Sequence, residues 1–183
     1  MPHHGNYPRI GGACFSLPFW HTMTITQLND MPRAEFVEAL GWVFEQSAWV
    51  AERAWEKRPF ASLEALHAAM AEAMDAATPE EQLALLRAHP DLGSQAPMSD
   101  ASTGEQAGAG LAGMGPYQRE HLRQYRQKFG FPFLYAVKGS PLSDIFFALS
   151  LRMEDTPEQE FQQALREVRR IAWFRLQGIM KES

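Results

Sequence analysis

Apolar residues recur with helical spacing along almost the whole chain after residue 30. Phe36, Leu40, Val43 and Phe44 form one stripe behind Asp30, Pro32 and Glu35, a helix start followed by its buried face. Ser47 is placed to cap a second helix carrying Val50, Ala54 and Trp55, and Ser62 a third carrying Leu66, Met70 and Ala73. In "TPEE", residues 78–81, Thr78 is a cap, Pro79 takes the first helical position and Glu81 closes a capping box. That helix carries Leu83 and Leu86 and has to stop near Pro90. Two more helices are predicted over 102–111 and 116–128, the second halted by Gly130. Another spans 141–153, and "TPEQ" at 156–159 opens the last, which runs to about Met180. One stretch, "FPFLYAV" at 131–137, reads as extended. The pattern therefore predicts an all-α fold, a single compact helical bundle of about eight helices with irregular connections and almost no strand.

Composition narrows the class without changing that picture. At 183 residues the chain fits one domain; it is 45% hydrophobic and 21% charged, with a net charge of -5. No Lys/Arg-rich run is present, so no nucleic acid partner is expected, and no apolar stretch is long enough to span a membrane. The lone Cys14 cannot form an internal disulfide, and a cytoplasmic location is the default expectation. Residues 1–22, rich in Gly and Pro and without periodicity, read as a disordered tail or as translation from upstream of a natural start at Met23; residues 23–183 form the expected domain.

Three positions carry candidate chemistry. His89 precedes Pro90, which pushes it out of the α region, so its imidazole is held at a helix end. It is either a helix-terminal histidine favoured by the macrodipole or a group placed for proton exchange. Ser102 and Glu105 spell S-x-x-E, a capping box when taken alone, although a helix N-terminus also suits an anion. On a wheel of the last helix Arg175 falls inside the apolar stripe of Phe161, Ala164, Leu165, Val168, Ile171, Ala172 and Ile179, whereas Arg166, Arg169 and Arg170 fall outside it. A guanidinium facing a core needs an anion, either an internal carboxylate or a ligand's. The extended segment leaves backbone groups to be satisfied by a neighbour or by a small, amide-rich ligand. No dinucleotide fingerprint, P-loop, nucleophile elbow or metal-binding histidine spacing occurs, so neither a cofactor nor a metal is expected.

With these residues in view, the chain resembles the 2-oxo-4-hydroxy-4-carboxy-5-ureidoimidazoline (OHCU) decarboxylase family. The pieces that carry the resemblance are "EQSAWVAERAWEKRPF" (45–60), "LLRAHPDLG" (85–93), "SxxEQAGAGL" (102–111), "YRQKFGFPF" (125–133) and "ALREVRRIAWFRL" (164–176), in the family's order. The resemblance implies an all-helical, cofactor-free homodimer that forms (S)-allantoin in uric acid degradation, functionally coupled to urate oxidase and hydroxyisourate hydrolase. It implies His89 and Glu105 as the catalytic pair. It implies Pro90, Ser102, Glu105, Arg175 and the backbone of Phe131 and Val137 as substrate contacts. Ser47-Ala48-Trp49, Leu122-Arg123 and Met98-Ser99 depart from the family's usual residues, which leaves room for a paralogue acting on a related ureide. A non-catalytic ureide-binding protein is the alternative from another class.

Overall fold

The computed structural model describes residues 22–94, 99–108 and 111–180. The expectation for the N-terminal tail falls on residues 1–21, outside the described residues. Among the described residues there are nine α-helices, one short 3-10 turn at Leu111–Gly113, and a single bridge pairing Met23 with Met180. The helices are α1 Ile25–Asp30, α2 Arg33–Leu40, α3 Trp49–Trp55, α4 Leu63–Asp75, α5 Pro79–Ala88, α6 Asp100–Gly108, α7 Pro116–Phe129, α8 Leu142–Arg152 and α9 Pro157–Ile179. The all-α expectation is met, with one helix more than expected because α1 precedes residue 30.

Most starts and stops follow the expected local chemistry. Ser62 caps α4 by accepting from the Ala65 N–H. Thr78 and Thr156 each form a complete capping box, with Pro79 and Pro157 at the first turn. α7 ends at Gly130 with φ 80°, a left-handed conformation that glycine adopts without a side-chain clash. Other boundaries differ from expectation. Ser47 is not a cap: α3 starts from Ala48, with no side-chain cap hydrogen bond. The first long stripe breaks at Gly41, so Val43, Phe44 and Glu45 turn inward from a non-helical connection. Ser102 lies inside α6, and the cap belongs to Ser99, whose Oγ accepts from the Ser102 N–H at 3.2 Å. Ser102 and Glu105 are therefore not a capping box.

Helix α9 is the spine. Its buried face, Ala164, Leu165, Val168, Ile171, Ala172 and Leu176, packs against α4, α5 and α7. α3 lies between α2 and α4, and α7 meets α8. No helix of the described residues is long and apolar enough to cross a membrane.

The segment after Gly130 is irregular, with no strand partner. Its backbone is held by side chains instead. Arg152 donates from Nη1 to the Leu134 carbonyl at 2.8 Å, and the Ala136 N–H donates to Glu167 at 2.9 Å. Arg152 also forks onto the fully buried Glu160, its Nε lying 3.0 Å from both carboxylate oxygens, and the Tyr125 hydroxyl donates to the same carboxylate. Burial, then Glu160, raises the Tyr125 phenol far above its usual range, so it stays a donor. Phe131 and Phe133 meet Tyr125 edge-on, at centroid distances of 6.1 and 5.1 Å. Arg152→Ala would leave Glu160 a buried charge without its partner and free the Leu134 carbonyl. The expected cost is about 3–5 kcal/mol, read as a lower midpoint in urea unfolding.

Candidate active site

His89 is the residue at which α5 ends, with φ -71° and ψ 141°, the extended conformation that Pro90 demands of it. Ending a helix leaves its last carbonyls without backbone partners, and Pro90 has no N–H to offer. The imidazole takes that role: Nδ1 lies 2.9 Å from the Leu85 carbonyl. A carbonyl accepts, so Nδ1 carries the proton, and in the neutral ring Nε2 carries a lone pair. Nε2 is buried and has no hydrogen-bond partner. Burial pushes the His89 pKa from 6.5 down to about 4; the Leu85 carbonyl opposes this, Arg175 adds to it and Glu45 opposes it. The helix-end position holds, but the macrodipole does not keep this ring charged, because desolvation outweighs it.

Across from His89, Arg175 reaches in from α9 and is 5% exposed. Its Nε and Nη2 form a fork on Glu105 of α6, at 2.8 and 3.1 Å. Nη2 also donates to the Ser102 hydroxyl at 3.1 Å. Nη1 lies 3.1 Å from Glu45 and donates to the Val43 carbonyl at 3.3 Å. Burial works against this charge, and Glu105, followed by Glu45, outweighs it, so the Arg175 pKa is raised. The wheel prediction is met, and the anion it required is internal: two carboxylates of the same chain.

A cavity of about 30 Å³ collects His89, Pro90, Ser102, Glu105, Val137 and Arg175. Its walls are completed by Leu92, Gln106, Ile171 and the extended segment at Phe133, Leu134 and Tyr135. That volume holds about two waters. A hollow of about 350 Å³ lies alongside, lined by Gly104, Lys138, Gly139 and Phe174 and sharing Glu105, Val137, Ile171 and Arg175 with the first. The larger space is the size of a small-molecule site, and the Glu105–Arg175 pair forms part of the wall common to both. Among the described residues no group of three or more His, Cys, Asp or Glu is placed to hold a metal ion.

Six of the seven positions singled out in the sequence thus converge, counting Glu105 once. Phe131 does not: it is buried, but it packs among Tyr125, Phe129 and Phe161 rather than lining the cavity. Phe133 to Tyr135 take that segment's share. Two contributors were not singled out, although both lie within the matched motifs. Glu45 is 4% exposed and joins Arg175 to α6. Gln106 accepts from the Gly93 N–H at 2.6 Å and donates to the Asp91 carbonyl, so it locks the loop after His89 onto α6.

The helical domain thus gathers an uncharged imidazole, a carboxylate and a guanidinium around one cavity, groups suited to proton exchange with a ligand. The family is defined by comparison: residues 29–177 match the model for OHCU decarboxylase, and the chain belongs to that family. It is 45% identical over 161 residues to 2-oxo-4-hydroxy-4-carboxy-5-ureidoimidazoline decarboxylase of Halalkalicoccus jeotgali, covering 86% of this chain and 92% of that one. It is 43% identical over 164 residues to the "Uric acid degradation bifunctional protein" of a Bacillus species, covering 87% of this chain but 33% of that one, so it spans about a third of the bifunctional protein. Among solved structures, a crystal structure of (S)-allantoin synthase superposes with a TM-score of 0.70 at 33% identity, over 86% of this chain and 54% of that chain.

Burial of a neutral His89 has a pH signature. Between about pH 6.5 and 4 the unfolded chain binds a proton that the folded chain excludes, so stability falls as pH falls through that window. The loss is about 2–3 kcal/mol by pH 4.5, at about 1.4 kcal/mol for each pH unit below 6.5. In His89→Asn this contribution is absent. From pH 7 to 4.5 the wild type should therefore lose more unfolding free energy than His89→Asn does, by that amount. A difference between the two proteins that stays constant with pH would show that His89 is not held neutral.

Proposed function

We infer that this protein is a carboxy-lyase that decarboxylates 2-oxo-4-hydroxy-4-carboxy-5-ureidoimidazoline to (S)-allantoin in uric acid degradation, with residues 23–183 as the decarboxylase domain. The observation that carries the reading is the polarity of the cavity. His89 offers an Nε2 lone pair, Glu105 offers carboxylate oxygens, and Arg175 has its N–H groups engaged by protein acceptors. A site built of acceptors suits a ligand rich in donors, and a hydroxylated ureidoimidazoline carries both N–H and O–H groups.

The chemistry follows from the substrate. The bond from the ring carbon to the carboxylate breaks and CO2 leaves. Its electron pair forms a double bond to the neighbouring carbon, and the pair of the adjacent C=N moves to the ring nitrogen, which takes a proton from solvent. The substrate's own C=N is thus the electron sink, and the scheme calls for no cofactor. The enol that results becomes a ketone by losing its hydroxyl proton and gaining one at the neighbouring carbon. In this reading His89 Nε2 takes the hydroxyl proton and returns it on one face, which sets the S configuration. Glu105 accepts from the hydroxyl or a ureido N–H and fixes the ring. Pro90 and the main chain near Val137 shape the wall, and Phe131 supports that wall from behind. Ser102 contacts the ligand directly. Arg175 holds Glu105 in place, and contacts the ligand itself where Glu105 turns toward it.

The bifunctional relative is named for uric acid degradation, which supports a functional coupling to urate oxidase and hydroxyisourate hydrolase. A homodimer and a cytoplasmic location belong to the same reading. Phe147 and Leu151, 67% and 58% exposed and one turn apart on α8, offer apolar surface for a second copy to cover. Sedimentation should then give twice the chain mass of 20.7 kDa.

The direct test generates the substrate from urate with urate oxidase and hydroxyisourate hydrolase and follows circular dichroism. Wild-type protein should produce an (S)-allantoin signal rapidly, and His89→Asn should reduce the rate by at least about a thousandfold while remaining folded. Near-wild-type turnover in His89→Asn would remove the imidazole from the mechanism. Well-folded wild-type protein without acceleration would leave a ureide-binding protein or a paralogue.

A further inference from the structure

Glu45 lines neither cavity, yet it is buried at 4% exposure in the connection between α2 and α3. Its Oε2 gathers three groups: Arg175 Nη1 at 3.1 Å, the Ser102 hydroxyl at 2.9 Å and the Ser99 hydroxyl at 3.1 Å. We propose that Glu45 is a positioning residue of the active site, which makes Ser102 a hydrogen-bond acceptor toward the substrate and holds the Arg175 fork in register with Glu105. The proposal rests on the decarboxylase reading for its substrate.

A carboxylate can only accept, so the Ser102 proton is committed to Glu45. Arg175 Nη2 donates to the same hydroxyl and occupies one of its lone pairs. What Ser102 can still offer the cavity is a second lone pair. It therefore selects an N–H or O–H of the ligand and disfavours a carbonyl or carboxylate oxygen at that point. A carboxamide at position 45 would reverse this choice. Its NH2 can donate to the Ser102 oxygen, which releases the serine proton toward the ligand. The surrounding charge says the same. One carboxylate, Glu105, already neutralises Arg175, and a second buried carboxylate leaves the cluster net negative, which pairing alone does not require. Glu45 also opposes the effect of Arg175 on His89, so its charge is felt at the imidazole.

A double-mutant cycle on kcat/KM tests this. Glu45→Gln should lower kcat/KM by about ten- to a hundredfold, the scale of one or two misdirected hydrogen bonds, and Ser102→Ala by a similar factor. Because Glu45 acts in part through Ser102, the double variant should lose clearly less than the product of the two single losses. Glu45→Asp, which keeps the charge, should recover more activity than Glu45→Gln. Losses that multiply in the cycle, or a Glu45→Gln enzyme within about threefold of wild type, would overturn the proposal. If Glu45→Gln does not fold, the same cycle is run with Glu45→Asp. A ligand-free readout separates this proposal from the decarboxylase reading: the Arg175 Nε–H NMR resonance should shift in Glu45→Gln even if the wild type turns over no substrate. An unmoved resonance would overturn the positioning role.

Discussion

The guanidinium of Arg175 is the point on which the site depends. A charge that cannot be neutralised is carried into the interior by the apolar face of α9, and the surroundings have to supply anions and acceptors for every N–H. They come from two places far apart in sequence: Glu45, Trp42 and Val43 after α2, and Ser102 and Glu105 on α6. Satisfying one side chain therefore ties the connection after α2 to α6, with α9 between them. It also explains why α6 presents Ser102 and Glu105 inward from the same helical face, three residues apart.

A second buried network does for the backbone what the first does for side chains. The segment after Gly130 is extended among described residues that form no sheet to receive it. Arg152 and Glu167 stand in for a neighbouring strand, one donating to a carbonyl and the other accepting from an N–H. Glu160 holds Arg152 in turn, and the Tyr125 hydroxyl donates to Glu160. The cost of burying these charges is repaid as geometry: Phe133, Leu134, Tyr135 and Val137 form a wall of fixed shape opposite α6.

Much of this is legible in the sequence, and the parts that are not have a common cause. Helical periodicity and capping residues locate α4, α5, α7, α8 and α9 closely, because those signals are local. Pro90 marks His89, and the wheel of the last helix places Arg175 inside. The S-x-x-E motif misleads because two roles share one spelling: a serine that caps and a serine that lines a cavity look alike until Ser99 is seen to cap. Glu45 is hidden as long as the first stripe is read as continuing past Gly41, which would put it on an outer face. Glu160 and Glu167 look like ordinary exposed acids of a long helix. Their burial is set by Arg152 and by the Ala136 N–H, partners that only the tertiary fold brings near. Local signals reveal elements; buried charge is decided by contacts distant in sequence.

The electrostatic balance of the cavity bears on the reaction itself. Arg175 is shared between two carboxylates, Glu105 on the cavity wall and Glu45 behind it, and His89 is uncharged, so the guanidinium charge is fully countered, and Lys138 is the further cation on the wall of the larger hollow. In the proposed mechanism a substrate carboxylate meets a guanidinium whose N–H groups are already engaged by protein acceptors. Its neighbours are aromatic and aliphatic walls at Phe133, Leu134, Val137 and Ile171. Such surroundings penalise a localised anion more than a dispersed one. Decarboxylation converts the first into the second, because the charge leaves the carboxylate and spreads over the ring. In the proposed mechanism the acceptors His89 and Glu105 hold the donors of the ring and the ureido arm. Under the proposed mechanism the site would grip the part of the molecule that stays more firmly than the part that departs, which is differential binding of the transition state.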